Sequence, residues 1–120
     1  MAVQLSFNRV VVFAPDLDRA GQFFGGVLGL RLIDSDDRTL TFQGSNFVLS
    51  VFLCDDATAP DRYSDRPGAS AAFTVPSLEL AMSELEAKGV RFLHSAPKSG
   101  PVGNYVAFSD PFGTIFELME

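Results

Sequence analysis

The chain predicts an α+β fold of two tandem β-α-β-β-β modules that enclose a shared concave cavity, and two observations carry that reading. The first is a duplication: Pro15 and Leu17 recur as Pro76 and Leu78, and Gly29-Leu30-Arg31-Leu32 recurs as Gly89-Val90-Arg91-Phe92 with one residue dropped between the anchors. The second is that both copies lie between an apolar, β-branched run and another extended run. In 120 residues, halves this short do not support separate cores, so they are expected to form a single domain. The first module is expected over about 5–54, the linker over about 55–68 and the second module over about 69–120.

Taken in order, Ser6 to Phe13 reads as a strand, rich in β-branched and aromatic residues and closed by Ala14-Pro15. Asp16 then caps a helix whose apolar positions are Leu17, Ala20, Phe23 or Phe24, Val27 and Leu28. Gly25-Gly26 weakens its last turns, and Gly29 ends it. Leu30 to Ile33, Arg38 to Phe42 and Phe47 to Leu53 read as three further strands, joined by turns at Asp34 to Asp37 and Gln43 to Asn46. Cys54 to Gly68, with Pro60 and Pro67 among its aspartates, reads as the connection between copies. Ser70 to Val75 repeats the first strand, and Ser77 caps a helix with Leu78, Ala81, Met82 and Leu85 on one face. Lys88-Gly89 stops it. Val90 to His94 is then a strand, Ser95 to Gly103 a loop, and Asn104 to Phe108 with Thr114 to Met119 a hairpin around Ser109-Asp-Pro-Phe-Gly113.

Composition narrows the function classes. Apolar residues make up 47% of the chain and there are twelve Phe, enough for a core and incompatible with disorder. A formal charge of −6 with nine scattered Lys and Arg argues against nucleic acid, and weakly favours a cationic ligand. Cys54 is the only cysteine, so neither an intrachain disulfide nor a thiolate zinc site is expected. No secretory leader or bilayer-length apolar run is visible, and the expected compartment is the cytoplasm, with no membrane partner.

The paired modules, the stretch Phe23-Phe24-Gly25-Gly26-Val27-Leu28-Gly29-Leu30 and the hairpin Ala107 to Leu118 with its Asp110-Pro111-Phe112-Gly113 turn resemble the vicinal oxygen chelate superfamily. That superfamily includes glyoxalase I, extradiol dioxygenases, fosfomycin-modifying enzymes and bleomycin resistance proteins. The resemblance implies metal ligands from the first and last strands of each module. On this chain those positions are Arg9, Ser50, Ser70 and Glu117, and only Glu117 is a ligand type. A register slip of one residue brings in Asn8, which does not complete a site. No catalytic metal and no cofactor are therefore expected, and the Lewis-acid chemistry of the metal enzymes has no provider.

With the ligand positions implied by the resemblance taken as inward, the period of two places Arg9, Val11 and Phe13 inward beside Val48, Ser50 and Phe52. Ser70, Ala72 and Thr74 face inward beside Ile115, Glu117 and Met119. Candidate ligand-binding residues are Arg9, Phe13, Ser50, Phe52, Ser70, Thr74, Tyr105 and Glu117. Arg9 and Glu117 are expected to pair, either to orient a polar ligand group or only to neutralise one another, unless Arg9 turns outward. As a lone general base Glu117 lacks a partner at a defined spacing, and His94 reads as a half-exposed strand end. The resemblance thus implies a metal-independent small-molecule binder of the bleomycin-resistance type, a homodimer whose ligand is cationic or aromatic. Two alternatives stay open: a metal-dependent lyase or dioxygenase of the glyoxalase class, and a non-catalytic subunit with a vestigial cavity.

Overall fold

A computed structural model describes residues 3–4, 7–55, 69–100 and 103–120. The start of the expected first strand at Ser6, nearly all of the expected linker, and Pro101-Val102 lie outside the described residues. By its contacts the chain divides into two units, Met1–Asp55 and Asp56–Glu120.

In the first unit, β1 (Arg9–Ala14) alternates, with Val12 and Ala14 buried and Arg9, Val11 and Phe13 exposed. The two faces of this strand therefore meet different surroundings. Asp16 comes next in an extended conformation, and its Oδ1 accepts from the Arg19 amide at 3.0 Å, which starts α1 (Leu17–Gly21). The helix does not continue in α geometry to its end, as the sequence pattern led one to expect. Over Gln22–Val27 the backbone widens into a π-helical stretch, with the Leu28 amide donating to the Phe23 carbonyl at 2.9 Å. The reason lies in packing against the sheet: a β-carbon on Gly25 would sit 3.3 Å from the Phe42 ring, so the glycine lets this segment come close. Gly29 then ends the segment at φ +76°, a left-handed conformation.

The strands β2 (Arg31–Ser35), β3 (Thr39–Gln43) and β4 (Val48–Leu53) complete a sheet of order β1-β4-β3-β2. β1 and β4 run parallel, and the other neighbours are antiparallel. Beneath α1, which packs on β3 and β4, lie Phe24, Phe42, Leu49 and Val51, all but inaccessible. Phe23 meets Phe24 edge-on at 5.1 Å. Each such ring contributes roughly 1.5–3 kcal/mol by leaving water. The edge strand β2 is exposed throughout and shifts register between Leu32 and Asp34.

The second unit contains β5 (Ala72–Thr74), α2 (Leu78–Ala87), β6 (Arg91–Phe92), β7 (Lys98–Gly100), β8 (Gly103–Ser109) and β9 (Ile115–Met119). Its sheet order is β5-β9-β8-β6, with β7 also pairing to β8. Ser77 caps α2 by accepting from the Leu80 amide at 3.2 Å, and Glu120 Oε2 accepts from the Leu78 amide at 2.8 Å. Phe73, Phe108 and Phe116 form the aromatic centre of this unit, with Phe108 and Phe116 stacked at 5.6 Å. Gly89 stops the helix segment at φ +89°.

Two expectations are corrected here. The stretch Ser95 to Gly103, read as a loop, contains β7, because Lys98 and Ser99 find partners opposite Tyr105 and Asn104. The strand expected over Val90 to His94 keeps only Arg91 and Phe92, after which the chain bends. Among the described residues no helix is long and apolar enough to cross a membrane.

Candidate functional site

The face of the first sheet opposite α1 is organised in rows set by strand register. Arg9, Val48 and Gln43 form one row, Val11, Ser50 and Thr41 the next, and Phe13, Phe52 and Thr39 the third. Polarity thus changes along the strands, from a guanidinium and an amide through hydroxyls to a pair of rings. Phe13 and Phe52 lie 6.3 Å apart and remain 62% and 39% exposed, and Val11 is 46% exposed, which is a large apolar surface for one sheet face to show. Ser50 is fully buried, yet its Oγ accepts a hydrogen bond of 2.7 Å from Arg9 Nη1. That bond lays the Arg9 side chain across the sheet, over the middle row.

At the guanidinium end, Asn8, Arg9, Gln43, Asn46, Phe47 and Val48 line a cleft of about 230 Å³. Its far wall is organised by one side chain: Gln43 Nε2 donates to the carbonyls of Gly44 and Phe47, at 2.8 and 3.0 Å. The Gly44 amide donates to the Phe47 carbonyl in turn, and a β-carbon on Gly44 would overlap the Phe47 ring. Sequence reasoning placed Gln43 in a turn and left this wall out. The strict alternation Thr39, Thr41, Gln43 opposite Leu40 and Phe42 is the signal that reveals it.

In the second sheet, Glu117 sits half-buried between Ala72 and Ala107, and the next row holds Thr74, Met119 and Tyr105. These residues face away from the Phe108–Phe116 stack. Ser70 lies just ahead of β5, with its hydroxyl committed as a donor to the Ile115 carbonyl at 2.8 Å. His94, half-exposed as expected but beyond the end of β6 at Phe92, joins this neighbourhood and meets Tyr105 edge-on at 6.1 Å. Burial pushes its pKa below the usual 6.5 and the nearby Lys98 charge adds to that, while Glu117 partly offsets both.

The sequence-predicted residues accordingly gather in two sets. Arg9, Phe13, Ser50 and Phe52 share one face of the first sheet, and Thr74, Tyr105 and Glu117 share one face of the second. The donor set does not suit the metal of the metal-dependent relatives. In the first unit Arg9 offers only N–H donors and Ser50 is engaged by it; in the second the Ser70 hydroxyl is spent on a carbonyl, which leaves Glu117 with His94 in its neighbourhood, two ligand types and, among the described residues, no third. Among the described residues no group of three or more His, Cys, Asp and Glu side chains is placed to hold a metal ion.

Comparison with known proteins gives the same fold. Residues 6–118 match the family model of the Glyoxalase/Bleomycin resistance protein/Dioxygenase superfamily. No curated protein matches the chain. Among solved structures, the glyoxalase family protein from Enterococcus faecalis is 21% identical, with a TM-score of 0.79 over 96% of this chain and 97% of that one. A superfamily member from Sphaerobacter thermophilus is 23% identical, with a TM-score of 0.75 over 98% of both chains. Lactoylglutathione lyase from Agrobacterium tumefaciens is 20% identical, with a TM-score of 0.72 over 96% of this chain and 92% of that one. At these identities the structures speak to fold alone, whereas the family match spans nearly the whole sequence. The chain belongs to the Glyoxalase/Bleomycin resistance protein/Dioxygenase superfamily, the vicinal oxygen chelate fold.

Proposed function

We propose that this protein binds a small molecule without a resident metal, in the manner of the bleomycin-resistance branch of its superfamily, and that the ligand lies on the open face of the first sheet. The observation that carries the reading is the Arg9 guanidinium held at 2.7 Å by the buried Ser50 hydroxyl, next to two exposed phenylalanines. A hydrogen-bonding charge pinned beside unfilled apolar surface is how small-molecule sites combine orientation with affinity. The same guanidinium takes one of the positions from which metal-dependent members draw a ligand, and it cannot serve as one.

Two measurements on the full chain test this. Protein purified without chelator is expected to carry far less than one equivalent of Ni, Zn, Fe or Mn, and stoichiometric metal would overturn the reading. A thermal-shift screen of small aromatic compounds is expected to yield ligands that raise the melting temperature, because binding only the native state at about 100 times Kd stabilises it by about 2.7 kcal/mol. Phe13→Ser should abolish those shifts, and shifts that survive that substitution would move the site elsewhere.

A further inference from the structure

We infer that the ligand class selected by this face is an amphipathic monocarboxylate: a carboxylate taken by Arg9 beside Ser50, with a flat apolar body directed toward Phe13 and Phe52. The inference rests on the binding reading above and adds the polarity and orientation of the ligand.

Charge is the first argument. Among the nine residues of the three rows and the six that line the cleft, Arg9 is the only charged side chain. The rows extend onto the edge strand through Arg31, opposite Gln43, and Asp34, opposite Thr41. Those residues sit two strand spacings from Ser50, where the guanidinium is held, about 10 Å away and near the screening length at physiological salt, and their charges are opposite. The overall charge of −6 makes a cation the expectation from composition, but distant surface charges are screened and the group in contact decides. A cation placed against Arg9 is repelled, and an anion is not.

Geometry supplies the kind of anion. One donor nitrogen of the guanidinium is committed to Ser50, which leaves the planar fork of a fixed side chain for a single planar acceptor. A carboxylate matches one such fork. A phosphate would call for further cations, and Arg9 is the only cation among the residues that line this cleft. Gln43 cannot contribute a donor to a ligand, since its amide nitrogen already serves the Gly44 and Phe47 carbonyls.

Spacing then sets the length of the body. Successive rows on one strand face lie about 6.6 Å apart. The Arg9 side chain reaches the middle row through Ser50, and the ring pair occupies the next row. A carboxylate on the guanidinium therefore lies about 7 Å from the rings, the span of a bicyclic aromatic acid.

The test compares three nearly isosteric probes by calorimetry and thermal shift on the full chain: 2-naphthoate, 2-naphthamide and 2-naphthylmethylamine. Naphthoate is expected to bind at least about tenfold more tightly than the amide, as charge-assisted hydrogen bonds allow, and the amine least of all. Arg9→Met should bring naphthoate and naphthamide within about twofold of each other, while Phe13→Ala weakens all three alike. Arg9→Lys, with the charge but not the fork, should retain an intermediate preference, and the wild-type ranking itself needs no variant to fold. If the amide or the amine matches naphthoate, or if the preference survives Arg9→Met, the carboxylate inference falls while the binding reading stands. If none of the three binds and no other aromatic compound shifts the melting temperature, the binding reading falls with it.

Discussion

Asp110 shows how a single side chain is placed at odds with its own chemistry. It opens the Asp-Pro-Phe-Gly turn, where its Oδ1 accepts from the amides of Phe112 and Thr114, each at 2.9 Å. The residue is only 4% exposed, and its Oδ2 is buried without a hydrogen-bond partner. Burial raises its pKa above the usual 3.8, and the backbone amides of the turn only partly counter it. Folding therefore takes up a proton in the interval above pH 3.8. The associated stability is fully present below the unfolded value and is lost as pH rises through the raised folded value. Asp110→Asn keeps an oxygen for the two amides and removes the ionisation. In urea melts at pH 4 and pH 7, the stability of the wild type relative to this variant is expected to decline as pH rises; a pH-independent difference would show that the carboxyl stays charged. The turn was legible from Asp-Pro-x-Gly, and Gly113 takes the positive φ of 92° that such a turn favours. The burial of Oδ2 was not legible, because it depends on what packs around the turn. Arg9 and Ser50 lie between these cases: parity along the strands placed both inward, and only register showed that they touch.

At the scale of elements, local chemistry predicted well wherever it acted alone. Both helix starts are capped as expected, by Asp16 and Ser77, at φ −145° and −146°. Both glycine stops, Gly29 and Gly89, adopt the left-handed conformation. Ser77→Ala is expected to cost about 1 kcal/mol in chemical denaturation, since the Leu80 amide would lose its acceptor while the Leu78 amide keeps Glu120. A cost near zero would mean that water replaces the hydroxyl. Where tertiary contact intervenes, local rules fail. The first helix widens into a π-helical stretch at Phe23-Phe24-Gly25-Gly26, where it meets Phe42. Lys98–Gly100, poor in β-branched residues, becomes a strand because β8 offers it a free edge.

For the whole molecule, the two sheets share one plan. In each, the first strand lies parallel to the last, the last pairs with the one beside it in an antiparallel hairpin or meander, and the second strand ends the order. We propose that the protein is a homodimer. Exposed apolar side chains such as Leu32 and Ile33 on the edge strand support this, because surface of that kind is stabilised by being covered. Light scattering is expected to return twice the 13.0 kDa of the chain, and a monomer at micromolar concentration would remove the proposal. The α+β class was readable because helical and period-two patterns are properties of the string itself.

Sequence alone thus determined the fold class and the family, since residue type and spacing decide both. The tertiary structure decided which of these residues touch. Arg9 and Ser50 are 41 positions apart and meet only because β1 lies parallel beside β4, a long-range pairing that no local pattern encodes. The same pairing sets Phe13 beside Phe52 and turns a list of inward residues into a face with a charged end and an apolar end. Strand neighbours come from burying one common core, and side-chain parity supplies only the side of the sheet on which each residue stands.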